Sequence, residues 1–188
     1  MQNTNPMNSR DKAWELLCEY TETDSLRKHA LAVEAAMRHF AEKFNEDADY
    51  WGNIGILHDF DYEKYPDKHP LAGPDILRKH GYDQDFIDSV LSHVDTTGVP
   101  RNTKLRQTLF AVDELCGFVI AVALVRPSKK VADVKVKSVK KKFKDKAFAR
   151  QVSREDMEKG AQELGLPIEE VIENVIAALT KIAPELGL

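Results

Sequence analysis

Residues 54–59 read Ile54-Gly55-Ile56-Leu57-His58-Asp59. Three aliphatic residues and one glycine run straight into an adjacent imidazole and carboxylate. Trp51, Ile54, Gly55 and His58 follow the i, i+3, i+4, i+7 spacing of a single helix face. The spacing predicts a buried helix that starts near Asp47 or Asp49 and ends at His58-Asp59. Gly55 on that face would let a neighbouring helix come close. Neutral imidazole and carboxylate oxygen both bind divalent metals. A His-Asp pair alone is common by chance. Its weight depends on other ligands lying on helices that could meet it.

Upstream, Asp24 or Ser25 is a candidate cap for a helix running to about Phe44. Its apolar stripe is Leu26, Ala30, Val33, Met37, Phe40, Ala41 and Phe44. At about 100° per residue, His29 lies on the flank of that stripe and can face an interior, whereas His39 points towards water. Before it, Ser9 can cap a first helix carrying Trp14, Leu17 and Cys18 on one face.

Downstream, residues 60–70 are polar and aromatic and read as a loop. Pro70 suits the first turn of the next helix, Pro74 could shift that start to Gly73, and Gly81 would end it. His69 stands at this helix's entrance. Asp83 caps a helix bearing Phe86, Ile87, Val90 and Leu91, with His93 near its end. Residues 95–103, with Gly98 and Pro100, form a loop. Residues 104–125 then make the longest and most apolar helix, stopped by Pro127.

The lysine-rich stretch 134–150 keeps a helical stripe in Val136, Val139, Phe143 and Ala147. Ser153 with Asp156 resembles a capping box for a helix ending at Gly165. Pro167 opens the last helix, with Val171, Ile172, Val175, Ile176 and Leu179. No useful strand alternation, internal repeat or linker interrupts the pattern. The fold class is all-α, a bundle of seven to nine helices.

The chain has 188 residues, 43% hydrophobic and 31% charged, enough for one domain over 9–188 behind a loose tail at 1–8. Its net charge of -4 argues against nucleic-acid binding by the chain as a whole. Lys135, Lys137, Lys140, Lys141, Lys142, Lys144 and Lys146 read first as a solvated helix face. Cys18 and Cys116 are too few for a thiolate zinc site and sit in apolar settings, as free thiols do in a reducing compartment. The tail lacks an apolar signal core, and the run 115–125 is too short to span a bilayer. The expected location is cytoplasmic, with no membrane partner.

Asp113 decides the function class. It lies within Leu109-Phe110-Ala111-Val112-Asp113-Glu114-Leu115-Cys116-Gly117. It shares a face with Leu109, Phe110 and Gly117, and Glu114 lies about 100° round. A carboxylate on that face is an uncompensated buried charge unless it is paired or binds a cation.

In order, His29, His58-Asp59 and Asp113 have the layout H…HD…D. This resembles the HD superfamily of metal-dependent phosphohydrolases over about 26–125, with 128–188 as a C-terminal helical extension. His69 and His93 are similar to the additional histidines of members that bind two metals. The resemblance implies a helical bundle of the HD-domain type. It implies His29, His58, Asp59, His69, His93 and Asp113 as metal ligands, with Asp59 bridging. The implied cofactors are two divalent ions, Fe, Mn, Ni, Co or Zn, with Mg as a further option. The implied reaction is hydrolysis of a phosphate ester or anhydride of a small metabolite, a nucleotide, by metal-activated water. Phe60-Asp61 follows the HD pair where HDIG-type members carry Ile-Gly.

Phosphate chemistry also needs cations and proton carriers. The candidates for substrate binding are Arg101 and Lys104 beyond His93, and Arg126 and Lys129 beyond the Asp113 helix. Asp59, Asp61 and Glu63 are the catalytic candidates, the last two as a general acid or to orient water. Two other readings stand beside this one. Some HD-fold proteins are di-iron oxygenases, and others are non-catalytic nucleotide-binding regulatory modules. The near-complete ligand set counts against the second.

Overall fold

A computed structural model describes residues 9–188, and among them there is no strand. Ten α-helices run in the order α1 (Arg10–Tyr20), α2 (Asp24–Phe44), α3 (Ala48–Leu57), α4 (Gly73–Lys79), α5 (Gln84–Leu91), α6 (Lys104–Leu124), α7 (Val136–Phe143), α8 (Arg154–Leu164), α9 (Ile168–Lys181) and α10 (Ala183–Leu186). The all-α expectation is met. The count exceeds nine because α9 is followed by the one-turn α10. The expected tail at 1–8 lies outside the described residues.

Half of the ten helix starts follow from side chains that satisfy the free amides of a first turn. The Ser9 hydroxyl accepts from Lys12 N, Asp47 from Asp49 N and Tyr50 N, Asp83 from Phe86 N, and Ser153 from Asp156 N. The start of α2 differs from expectation. Its N-cap is Thr23, whose side chain accepts no hydrogen bond from the helix amides. The Glu63 carboxylate lies there instead, accepting from Glu22 N at 2.7 Å, Thr23 N at 3.1 Å and the Thr23 hydroxyl at 2.5 Å. This clamp ties the loop after α3 to the start of α2.

Helices α2, α3 and α6 form the centre, with α8 and α9 covering α6. Gly55 permits the α2–α3 approach. A Cβ there would lie 3.0 Å from Glu34 N, Glu34 Cα and the Val33 carbonyl oxygen, all backbone atoms of α2. Gly160 does the same for α8 against α6, where a Cβ would come within 2.6 Å of Ala111 Cα. Glu34 is 5% exposed and carries a charge into this interior. Arg10 on α1 meets it at 2.7 and 2.9 Å, and Arg38 at 2.9 Å. A buried carboxylate with two guanidinium partners is compensated in the way burial requires.

α6 has 21 residues, the same length as α2, so it is not the single longest helix. By length and composition it could cross a membrane, which the shorter run 115–125 does not convey. Here it is a core helix: Leu109, Val112, Leu115, Cys116, Phe118 and Val119 are fully buried. Two further expectations are corrected. His39 does not face water, because α9 packs on α2 and Asn174 Oδ1 lies 2.9 Å from His39 Nε2. The lysine-rich helix ends at Phe143, and Ala147 is exposed in a turn. Val139 is buried, most of the lysines are exposed, and Lys140 pairs with Glu169, so the segment is largely a solvated face.

Candidate metal centre

Five segments converge on one point. α2 supplies His29. The end of α3 supplies His58, its C-cap, and Asp59, the next residue. The turns between α3 and α4 supply Asp61 and His69. His93 follows the end of α5, and Asp113 lies midway along α6. All six expected ligands are therefore brought together.

They divide into two groups, His29 with His58 and Asp113, and Asp59 with His69 and His93. Within each group the candidate donor atoms lie within 4.8 Å of one another. Asp113 Oδ1 is 3.0 Å from His29 Nε2 and 3.3 Å from His58 Nε2. Asp59 Oδ1 is 3.0 Å from His93 Nε2 and 3.3 Å from His69 Nε2, and Asp59 Oδ2 is 3.6 Å from His58 Nε2. Asp59 thus faces histidines of both groups with different oxygens, as a bridging carboxylate would.

The outward nitrogens fix the tautomers. His58 Nδ1 lies 2.8 Å from the Gly55 carbonyl oxygen, and His93 Nδ1 lies 2.6 Å from that of Val90. A carbonyl only accepts, so each Nδ1 donates. His69 Nδ1 donates to Asp61 Oδ1 at 2.7 Å. All three Nε2 atoms then point inward, and in a neutral ring each carries a lone pair. They face carboxylate oxygens, which also carry lone pairs. His58 Nε2 is buried and lacks the geometry of a hydrogen bond. Only cations resolve that arrangement, either protons on the rings or metal ions between the groups.

Without metal, protons are held tightly. Burial works hardest against a charge on His58, yet Asp59 and Asp113 outweigh it and push the imidazole up to about 10. Burial likewise opposes the His69 charge, and hydrogen bonds to Asp59 and Asp61 raise it to about 9. Burial disfavours the charged forms of Asp59 and Asp113, but the neighbouring histidines, His58 foremost, hold both well below the usual carboxylate range. Asp113 is therefore compensated even in the absence of metal. The donor set of four imidazole nitrogens and two carboxylates suits divalent transition ions and fits the expected cofactor class. The Nδ1–carbonyl and Nδ1–carboxylate contacts are the outer hydrogen bonds that metal-binding histidines usually make.

The two groups open into a cavity of about 420 Å³. Its lining includes Tyr62, Asp95, Phe110, Glu114 and Asp156 beside His29, Asp59, His69, His93 and Asp113. Glu114, which helical phase sets about 100° from the face of Asp113, also reaches the cavity. Burial, with Asp113 next, pushes its carboxyl up to about 7. Asp156 was legible only as part of a helix cap. The one available signal for both was helical phase: α8 packs on α6 and turns those side chains towards the same opening as Asp113.

The other candidates fall elsewhere. Asp61 is 1% exposed and sits behind His69, so it orients a ring and does not line the cavity. Glu63 is engaged at Thr23. Arg101 is clasped by Glu163 at 2.6 and 3.0 Å and by Asp95 at 2.6 Å. Lys104 donates to the Leu164 carbonyl at 2.7 Å. Arg126 reaches Ser138 Oγ at 3.4 Å, and Lys129 is exposed in the turn after α6. None of the four cations lines the cavity. The loops that carry them have acidic or carbonyl partners of their own, which spacing alone does not reveal.

A search of curated proteins and of solved structures matched nothing to this chain. The family model described as HD domain matches residues 26–116, from the first turn of α2 to the middle of α6. His29, His58, Asp59, His69, His93 and Asp113 all lie within that span. Over residues 26–116, just under half of its length, this chain is similar to the HD domain.

Proposed function

We propose that the chain is a metal-dependent hydrolase of a small phosphorylated metabolite, a nucleotide, with two divalent ions held by the His29/His58/Asp113 and Asp59/His69/His93 groups. One observation carries this reading. Three imidazoles have committed Nδ1 outward and turn Nε2 towards the carboxylates of Asp59 and Asp113. Divalent ions bound there would polarise a phosphoryl oxygen and activate water at neutral pH.

The chain's own residues have separate parts. Gly55 and Val90 hold His58 and His93 by their carbonyls, so both rings are fixed before any ligand arrives. Asp61 does the same for His69. Such preorganisation avoids a rearrangement during the reaction. Phe110 and the exposed Tyr62 flank the opening and offer apolar surface to the organic part of a substrate. A cytoplasmic setting belongs to the same reading, supported by the free thiols of Cys18 and Cys116.

The test is metal analysis of gently purified protein joined to a phosphate-release screen over nucleotides and other phosphate esters and anhydrides. The expected result is about two ions per chain and release that disappears in His58→Ala and Asp59→Ala while helix content is kept. Metal-loaded protein that releases phosphate from no compound would overturn the proposal. Iron content with oxygen consumption would favour the oxygenase reading in its place.

A further inference from the structure

The cavity has no lysine or arginine in its lining among the described residues. Beside the candidate metal ligands, its charged members are Asp95, Glu114 and Asp156. The two cations that come near, Arg101 and Lys159, both lie over the Phe110 ring, at 3.7 and 5.4 Å from its centroid. Neither is free. Arg101 pairs with Glu163 and Asp95, and Lys159 pairs with Asp95 at 2.5 Å and approaches Glu163 at 4.0 Å. Two cations meet two carboxylates, and the cluster closes on itself without net charge. Glu114 and Asp156 join no ion pair among the described residues, so the wall beyond the metal groups is acidic wherever they are ionised.

An ordinary site for a di- or triphosphate supplies cations along the phosphate chain. Among the described residues, the only positive charge the cavity lining would offer a substrate is what the two metal groups would hold. A phosphoryl group placed at those ions is served. A second one further out would face Glu114 and Asp156 with no cation to neutralise it. Within the phosphohydrolase reading, on which this rests, we infer that the substrate is a phosphomonoester whose single phosphoryl group is its only anionic part. The organic part is neutral or cationic. The reaction is then ester hydrolysis: a water oxygen bonds to phosphorus, the ester P–O bond breaks, and one water proton ends on the leaving oxygen. The products are a free alcohol and inorganic phosphate. Asp156 acts as a specificity determinant that rejects added negative charge.

The test uses the full chain loaded with Mn²⁺, with free Mn²⁺ held constant. AMP, ADP and ATP are compared at low and high salt, and every phosphate product is measured. The expected order of kcat/KM is AMP above ADP above ATP, with AMP and ATP separated by at least about tenfold at low salt. Added salt should narrow that gap, because it screens the wall. Asp156→Asn should raise the ATP-to-AMP ratio of kcat/KM several-fold. Asp156→Ser serves as the second variant if Asp156→Asn does not fold. A residue that merely supports the fold would change all three rates together and leave the ratio alone. ATP cleaved as fast as AMP, or a ratio that neither variant moves, overturns this inference. Release from none of the three nor from other phosphomonoesters overturns the phosphohydrolase reading itself.

Discussion

Asp61 Oδ1 stands 2.7 Å from His69 Nδ1, and that contact decides which nitrogen of the ring meets Asp59. Asp61 is therefore an orienting carboxylate. Outer partners of metal-binding histidines typically contribute roughly 10–100-fold in metal affinity or activity. Asp61→Ala should weaken binding at the Asp59/His69/His93 group by that order and leave the His29/His58/Asp113 group loaded. Calorimetric titration with Mn²⁺ reads both events. Two tight ions in Asp61→Ala would remove the orienting role.

Two glycines make a contrast of sign. Gly55→Ala puts a Cβ 3.0 Å from the backbone of α2, where nothing flexible can yield. The substitution should destabilise the fold by about 1–3 kcal/mol, as overpacking does. It should also weaken metal binding, because α2 carries His29. Gly117, in α6, has no neighbour within 4 Å of a built Cβ. Gly117→Ala should stabilise by roughly 0.5–1 kcal/mol through helix propensity. Urea unfolding of both variants checks the pair, and equal effects would count against the close α2–α3 contact.

The candidate ligands, His69 and His93 among them through the resemblance alone, were more legible in the sequence than their surroundings were. His29 and Asp113 were placed by helical phase, because α2 and α6 are long enough for a period to show. His58 and Asp59 followed from the end of α3, and Asp83 and Ser153 were read correctly as caps. The misses share a cause. Glu63, Arg101 and Lys104 lie in loops or at a helix end, where partners are set by tertiary contacts that no local period encodes. His39 was misplaced because the covering helix α9 lies far along the chain, and its Asn174 reaches back 135 residues. Glu114 was set aside by treating one face of α6 as the only buried one.

Metal-free protein should have a marked alkaline limit. The folded His58 imidazole is raised to about 10 and that of His69 to about 9, from the ordinary 6.5. A raised pKa means the folded state binds the proton more tightly than the unfolded chain. That stabilisation is complete below about pH 6.5 and is lost as pH rises through about 9–10. The depressed Asp59 and Asp113 act on the other side, and their contribution fades as pH falls below the ordinary carboxylate range. Tm in excess chelator should fall between pH 6 and pH 9. With Mn²⁺ bound, the rings no longer need those protons, so the same interval should show a smaller fall. A metal-free Tm unchanged from pH 6 to pH 9 would contradict the imidazolium pairs.

Asp113 gives the sharpest comparison of all. From sequence it is a buried carboxylate that must be paired or bind a cation; were the ion its sole partner, neutralising it would cost metal-free protein little. The structure reverses that expectation. Asp113 Oδ1 is 3.0 Å from His29 Nε2 and 3.3 Å from His58 Nε2, and it favours the protonated rings when no metal is bound. Asp113→Asn removes the compensating charge and leaves His58, which is fully buried, with fewer partners. The imidazole can shed its proton, so the loss stays below the full penalty for a stranded charge. Metal-free Asp113→Asn should be less stable than wild type by about 1–3 kcal/mol at pH 7, and by less at pH 9, where the wild-type pairs are themselves weakening. Excess Mn²⁺ should raise the wild-type Tm strongly and that of the variant weakly, because an amide oxygen is a poorer ligand than a carboxylate. Thermal unfolding of both proteins, with chelator and with Mn²⁺ at the two pH values, separates the effects. If Mn²⁺ stabilises Asp113→Asn as much as wild type, Asp113 is not a ligand and the His29/His58/Asp113 group does not hold an ion.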